Sequence, residues 1–159
     1  MPLIIDGNNL LQSVQRAGED FRSLTAGRLC KIISTYLRLT GEKGEIVFDG
    51  TGPPDKSEFD NVSCLEVFFA GAAGDADTVI EGKISINTAP KRLTVVSSDR
   101  RLRSAARARK AVAVKADVFW NDVQKHLNRK KTAKEPPEKH RGLTEGETQK
   151  WLEFFGLGR

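Results

Sequence analysis

The sequence predicts an α/β fold of three layers, with a mainly parallel sheet of about five strands flanked by helices. Two observations predict it. Short apolar runs alternate along the chain with longer segments of helical periodicity. Three of the runs also end in an aspartate: Leu3-Ile4-Ile5 stops at Asp6, Ile46-Val47-Phe48 at Asp49, and Leu93 to Val96 runs through Ser97-Ser98 into Asp99. In an open parallel sheet the functional crevice lies beyond the carboxyl ends of the strands, so acids delivered there converge on one site. Asp also commonly caps the helix that follows a strand, which is the plain structural reading of any one of them.

Each element has a local reason. After the first strand, Leu10, Leu11 and Val14 predict a short helix, and Leu29, Ile32, Ile33, Tyr36 and Leu37 put a core stripe on a longer one over about 23–39. Gly41 to Gly44 ends that pattern, and the strand carrying Asp49 follows. Gly50-Thr51-Gly52-Pro53-Pro54 continues neither strand nor helix, which places a mobile loop beside the site. Cys64 to Phe69 reads as a third strand. Asp75 then caps a helix with Thr78 three residues on, while Asp77 and Glu81, four apart, share a helical face. Asp99 opens an alanine- and arginine-rich helix, 111–114 is a short last strand, and 116–127 is a helix with Phe119, Trp120, Val123 and Leu127 inward. His126 reads as a surface residue.

The 159 residues fit one domain with a short appendage, long enough to bury a substantial core without staples. Cys30 and Cys64 lack any Cys-x-x-Cys or Cys/His pattern, which excludes a disulfide framework and a zinc ribbon and predicts two reduced, buried thiols. The chain passes from Met1 straight into strand and has no run of membrane-spanning length, so it is expected to be cytoplasmic and free of membrane. Net charge is only +5, but Arg100, Arg101, Arg103, Arg107 and Arg109 fall in a stretch without acids, the footprint of a phosphate backbone or simply of a solvated helix face. Residues 1–129 form the folded domain, 130–142 a basic, Pro-containing linker, and 143–159 a C-terminal amphipathic helix carrying Trp151, Leu152, Phe154 and Phe155. That helix either folds back on its own domain or docks into a partner.

Four carboxylates in one pocket raise one another's pKa unless a cation neutralises them. Oxygen-only donors, with no Cys or His nearby, favour Mg²⁺ or Mn²⁺ over zinc, and the corresponding chemistry is attack of an activated water on a phosphodiester. No Ser-His-Asp or Cys-His arrangement supports covalent catalysis.

Leu3-Ile4-Ile5-Asp6-Gly7-Asn8-Asn9, Val47-Phe48-Asp49, Ala76-Asp77 with Ile80, and Ser97-Ser98-Asp99 occur in an order and spacing that resembles the NYN domain family, in particular its YacP-like branch of small PIN-like ribonucleases. The likeness covers about residues 2–127 and leaves the terminal Trp-Phe helix outside. It implies a PIN-like fold, metal-dependent endoribonuclease activity and an RNA substrate. By position it makes Asp6, Asp49, Asp77 and Asp99 the catalytic, metal-binding acids, with Asn9 and Ser98 supporting groups; Asp75 is an acid outside that pattern and a further candidate metal ligand, and Glu81, on the helical face of Asp77, a further supporting residue. Arg100, Arg101, Arg103 and Arg107 would contact RNA. Asn8 departs from the aromatic residue often found there.

Two alternatives stand beside this. A catalytically inactive RNA-binding or ribosome-associated module would use the arginine helix, with the C-terminal helix as its protein or ribosome contact. Phe48-Asp49-Gly50-Thr51 resembles the nucleophile loop of haloacid-dehalogenase-like phosphatases, whose nucleophilic aspartate would stand at the position held by Val47.

Overall fold

The computed structural model describes residues 2–60 and 62–134, the last five through their backbone alone. Five strands make one wholly parallel sheet in the order β3-β2-β1-β4-β5: β1 (Leu3–Asp6), β2 (Gly44–Phe48), β3 (Leu65–Phe69), β4 (Thr94–Val96) and β5 (Val112–Val114). β1 is central, with two strands on either side. Leu3 to Asp6 pair with Gly44 to Val47 on one side, and Leu3 to Ile5 pair with Thr94 to Val96 on the other. The strand order reverses between β1 and β4, and at such a switch point neighbouring crossovers depart to opposite faces and leave a crevice.

Alternation along the strands divides the core in two. Leu3, Ile5, Ile46 and Phe48 face helices α1 (Gly7–Ala17), α2 (Ala26–Thr40) and α5 (Ala116–Lys134), while Ile4, Val47 and Val95 face α3 (Ala76–Ile86) and α4 (Arg100–Ala108). Leu29, Ile32, Ile33 and Leu37 of α2 are wholly buried. Each such burial is worth about 1.5–3 kcal/mol, far more than the slight propensity cost of two isoleucines in a helix. The predicted α/β class, the parallel sheet and its five strands are all observed.

Local chemistry sets the helix ends. Thr25 Oγ1 accepts from the Arg28 amide at 3.3 Å to start α2, and Gly41, at φ 71°, ends it. α1 begins directly at Gly7, earlier than the apolar spacing of Leu10, Leu11 and Val14 reveals, because the strand-end Asp6 is itself its cap. The loop after β2 is tied at its root, where the Gly71 amide donates to the Gly50 carbonyl at 2.8 Å. Cys30 is buried as expected; Cys64 is only half-buried and takes a left-handed φ of 66° just before β3.

α5 packs Phe119, Trp120, Val123 and Leu127 into the first core, as the sequence predicts, and then continues through residues 130–134. The stretch read as a linker from residue 130 therefore begins as helix. Its remainder to 142 and the helix expected over 143–159 lie outside the described residues. His126 is half-buried rather than superficial: its ring stands edge-on to Tyr36 with centroids 5.3 Å apart, and Nδ1 lies 2.9 Å from the Asp122 carbonyl. Among the described residues, no helix is long and apolar enough to cross a membrane.

Candidate active site

Asp6 ends the central strand and is only 5% exposed. Its Oδ1 accepts from the Asn9 amide at 3.4 Å, which caps α1, and its Oδ2 accepts from the Ser97 hydroxyl at 3.1 Å, across the gap between β1 and β4. Burial pushes the Asp6 carboxyl up to about 6; the bonds from Asn9 and Ser97 pull it down, and the charges of Asp77 and Asp49 push it further up. Asp77, half-buried on the first turn of α3, also stands above the ordinary carboxylate range, through burial and then through Asp99, Asp75 and Asp49, with Arg101 opposing. Asp6, Asp49 and Asp99 stand at or just beyond the carboxyl ends of β1, β2 and β4, and the bond from the Ala76 amide to Asp49 Oδ1 brings the first turn of α3, with Asp77, to the same end of the sheet.

The bland reading and the sharp one hold together, since the same acids are caps. Asp99 Oδ1 accepts from the Arg101 amide at 2.8 Å and starts α4. Asp75 Oδ1 accepts from the Thr78 amide at 2.7 Å, and the bonds from Thr78 hold its carboxyl below the usual range. Asp75 is fully exposed at the mouth and belongs to the helix start. Asp49 reaches across to a neighbouring element: its Oδ1 accepts from the Ala76 amide at 2.7 Å, so α3 is capped from β2 as well as from Asp75.

The supporting residues differ in detail from expectation. The hydroxyl that reaches an acid is that of Ser97, which is wholly buried and also accepts from the Asp99 amide at 3.0 Å. Ser98 turns the other way and its Oγ accepts from the Ala116 amide at 3.1 Å, starting α5. Asn9 does steady Asp6, but through its backbone; its side-chain Oδ1 accepts from the Ser98 amide at 2.8 Å and ties α1 to the β4 loop. Asn8, noted in the sequence only as a departure from the family pattern, accepts from the Asp49 amide at 2.6 Å. Sequence reasoning gave it no part, and nothing in its spacing marks one.

Of the four arginines expected to meet RNA, Arg101 is already engaged, with Nε donating to Glu81 Oε1. Glu81 is thus a partner of arginine. Arg103 is half-buried, its Nε enclosed without a hydrogen-bond partner. Arg100 and Arg107 are exposed.

The YacP-like NYN domain model matches residues 3–154. The chain belongs to the YacP-like NYN domain family. The match runs well beyond the 2–127 likeness and takes in most of the terminal Trp-Phe segment. Two crystal structures of Rae1 (YacP) from Bacillus subtilis are similar in fold. One, of a point mutant, is 21% identical with a TM-score of 0.65, covering 99% of this chain and 98% of that one. The other is 22% identical with a TM-score of 0.66, covering 86% and 84%. Among curated proteins none gives a significant match. The YacP-like domain is therefore PIN-like, of a family related to ribonucleases.

In donor type and charge the site fits a hard divalent cation: only carboxylate oxygens, two of the acids raised in pKa by burial and by one another. In arrangement it is not a finished ligand set. Among the described residues, no three His, Cys, Asp or Glu side chains are grouped to hold a metal, and one oxygen on each of Asp6, Asp49 and Asp99 accepts from a backbone amide.

Proposed function

We propose that the protein is a divalent-metal-dependent endoribonuclease that hydrolyses RNA phosphodiester bonds at the β1/β4 crevice. The observation that carries this reading is Asp6: a buried strand-end acid, raised to about 6, with Asp77 and Asp49 adding like charge. An uncompensated cluster of this kind is costly in a folded chain and is characteristic of a site that awaits a positive partner. Asp6, Asp77 and Asp99 would hold Mg²⁺ or Mn²⁺, with Asp49 at the edge; the second oxygens of Asp49 and Asp99 are not committed to a backbone amide. The bound cation would supply charge neutralisation at the phosphate and an acidified water.

The chain's own residues do the rest. Ser97 and Asn9 fix the orientation of Asp6. Asn8 and the Ala76 amide hold Asp49 between β2 and α3. Arg100, exposed at the first turn of α4, offsets the repulsion that the acids exert on an incoming phosphate backbone. Cytoplasmic placement goes with this substrate.

One observation favours a second reading, an RNA-binding module without catalysis that meets a protein or ribosome through its C-terminal segment: the carboxylates serve as caps and are not gathered as ligands. The phosphatase alternative falls, since the position of its nucleophile holds Val47, wholly buried in the second core. Incubating labelled RNA and single-stranded DNA with Mn²⁺, Mg²⁺ or EDTA, beside Asp6→Asn and Asp99→Asn, separates the two remaining readings. Metal-dependent cleavage of RNA that both substitutions abolish, with binding retained, supports the nuclease; binding without cleavage under any metal supports the module.

A further inference from the structure

Beside the acids, α1 presents Asn9, Gln12, Ser13 and Arg16, spaced i, i+3, i+4 and i+7 and so on one face of the helix. An unbroken polar stripe on a helix is ordinarily a solvated face. This one is walled. With Ser98 from the β4 loop and Asp117 from the first turn of α5 it lines a cavity of about 340 Å³. That is the lower end of the range for ligand pockets, and it lies in the crevice beyond the strand ends where ligands of parallel sheets bind. The pocket abuts the acids through its own walls: the Asn9 amide donates to Asp6, and Ser98 follows the Ser97 that holds Asp6.

The wall groups are unspent. The side chains of Gln12, Ser13 and Arg16 make no hydrogen bond or ion pair among the described residues, and Asn9 uses its side-chain oxygen on Ser98, leaving its side-chain amide hydrogens. Ser98 accepts from Ala116 and retains a proton to give. Asp117 is exposed and its carboxylate is an acceptor only. Donors on one wall and a carboxylate on the other match a nucleobase that has ring acceptors and an exocyclic amine. A phosphate would be repelled by Asp117, whereas Arg16, at the far end of the stripe, suits one.

We propose that this cavity is a nucleobase pocket that selects an amine-bearing base next to the cleaved bond, with Asn9 and Gln12 donating to the ring acceptors, Asp117 accepting from the amine, and Arg16 taking the following phosphate. The proposal rests on the ribonuclease reading for its substrate, and its test is kept separate from catalysis. Cytosine and uracil differ in carrying an amine or a carbonyl at ring position 4, and a carboxylate accepting from the cytosine amine rejects the carbonyl.

Binding of the full chain to short fluorescent cytidine and uridine homopolymers, in EDTA, is read by anisotropy. The cytidine strand should bind about tenfold more tightly. Asp117→Asn, a change of charge without a change of size at an exposed position, should bring the ratio close to one, chiefly by weakening cytidine. Arg16→Ala should weaken both strands by the same factor. Equal affinities in the unsubstituted protein, or a ratio that Asp117→Asn leaves unchanged, would overturn the pocket. A retained cytidine preference with no cleavage in Mn²⁺ supports the pocket and removes the nuclease; cleavage with equal affinities removes the pocket and keeps the nuclease.

Discussion

The Ser97 hydroxyl donates to Asp6 Oδ2 at 3.1 Å and so joins the ends of β1 and β4 where the strand order reverses. The same oxygen accepts from the Asp99 amide at 3.0 Å, so one buried side chain sets two of the acids. Ser97→Ala leaves a buried acceptor and a buried donor without their partner and should cost about 1–3 kcal/mol in urea denaturation. The loss also removes a bond that lowers the Asp6 carboxyl, so its pKa, followed by carbon NMR, should rise above about 6. Ser98→Ala, which releases only the start of α5, should leave that pKa unchanged; an equal rise in both variants would show that Ser97 has no special hold on Asp6.

Asp6 also predicts a pH dependence. Its folded carboxyl stands at about 6, against 3.8 in the unfolded chain, so the folded state binds the extra proton between those values. The stabilisation this gives is fully present below the lower value and is lost as pH rises through the upper one. At pH 8 the buried charge costs on the order of 3 kcal/mol. Asp6→Asn, measured by thermal unfolding in EDTA, should therefore raise Tm at pH 8 by several degrees and lose much of that advantage by pH 5. A Tm difference independent of pH would contradict the buried charge.

The two arginines that open α4 should behave differently. Arg100→Ala should weaken RNA binding and reduce its salt slope by about 0.7, the loss of one phosphate contact on a single strand. Arg101 is held by Glu81 and draws the Asp77 carboxyl downward. Arg101→Ala should thus leave the slope nearly unchanged while the Asp77 pKa rises. Equal slopes for both variants in a salt titration would refute the division.

α5 closes the first core, and the bond from the Tyr36 hydroxyl to Asp122 Oδ2, 2.6 Å, fastens it to α2. Tyr36→Phe should cost about 0.5–1.5 kcal/mol, since Asp122 loses one donor but keeps His126 Nδ1 at 3.5 Å. Leu127→Ala, at a wholly buried position, should cost about 2–5 kcal/mol. Chemical denaturation checks both; values near zero would mean that α5 is peripheral to the domain.

The sheet was legible because each strand is a short apolar run that stops at a turn or an acid, and a parallel sheet buried on both faces needs little else. That Asp6, Asp49 and Asp99 lie at one end of the sheet followed from the rule that strand ends share a crevice, whereas Asp77 comes there on the first turn of α3. What remained hidden depends on distant partners. Nothing local tells which of Ser97 and Ser98 faces Asp6, since strand alternation lapses where the strand ends. The Glu81–Arg101 pair joins two helices 20 positions apart, so an arginine stretch without acids in sequence is not without them in space. Residues 130–134 carry no apolar signal, and a helix held from its buried Leu127 end runs on through them.

At Gly7 an added Cβ would stand 2.6 Å from the Phe48 ring. The aromatic ring therefore rests directly against the backbone where strand gives way to helix, and Asp6 is the residue just before it. Any larger residue here must displace the ring or swing the peptide, and either movement would re-aim the neighbouring acid. The placement of a charge is thus governed by a void of atomic size, and a single methyl group is enough to spoil it.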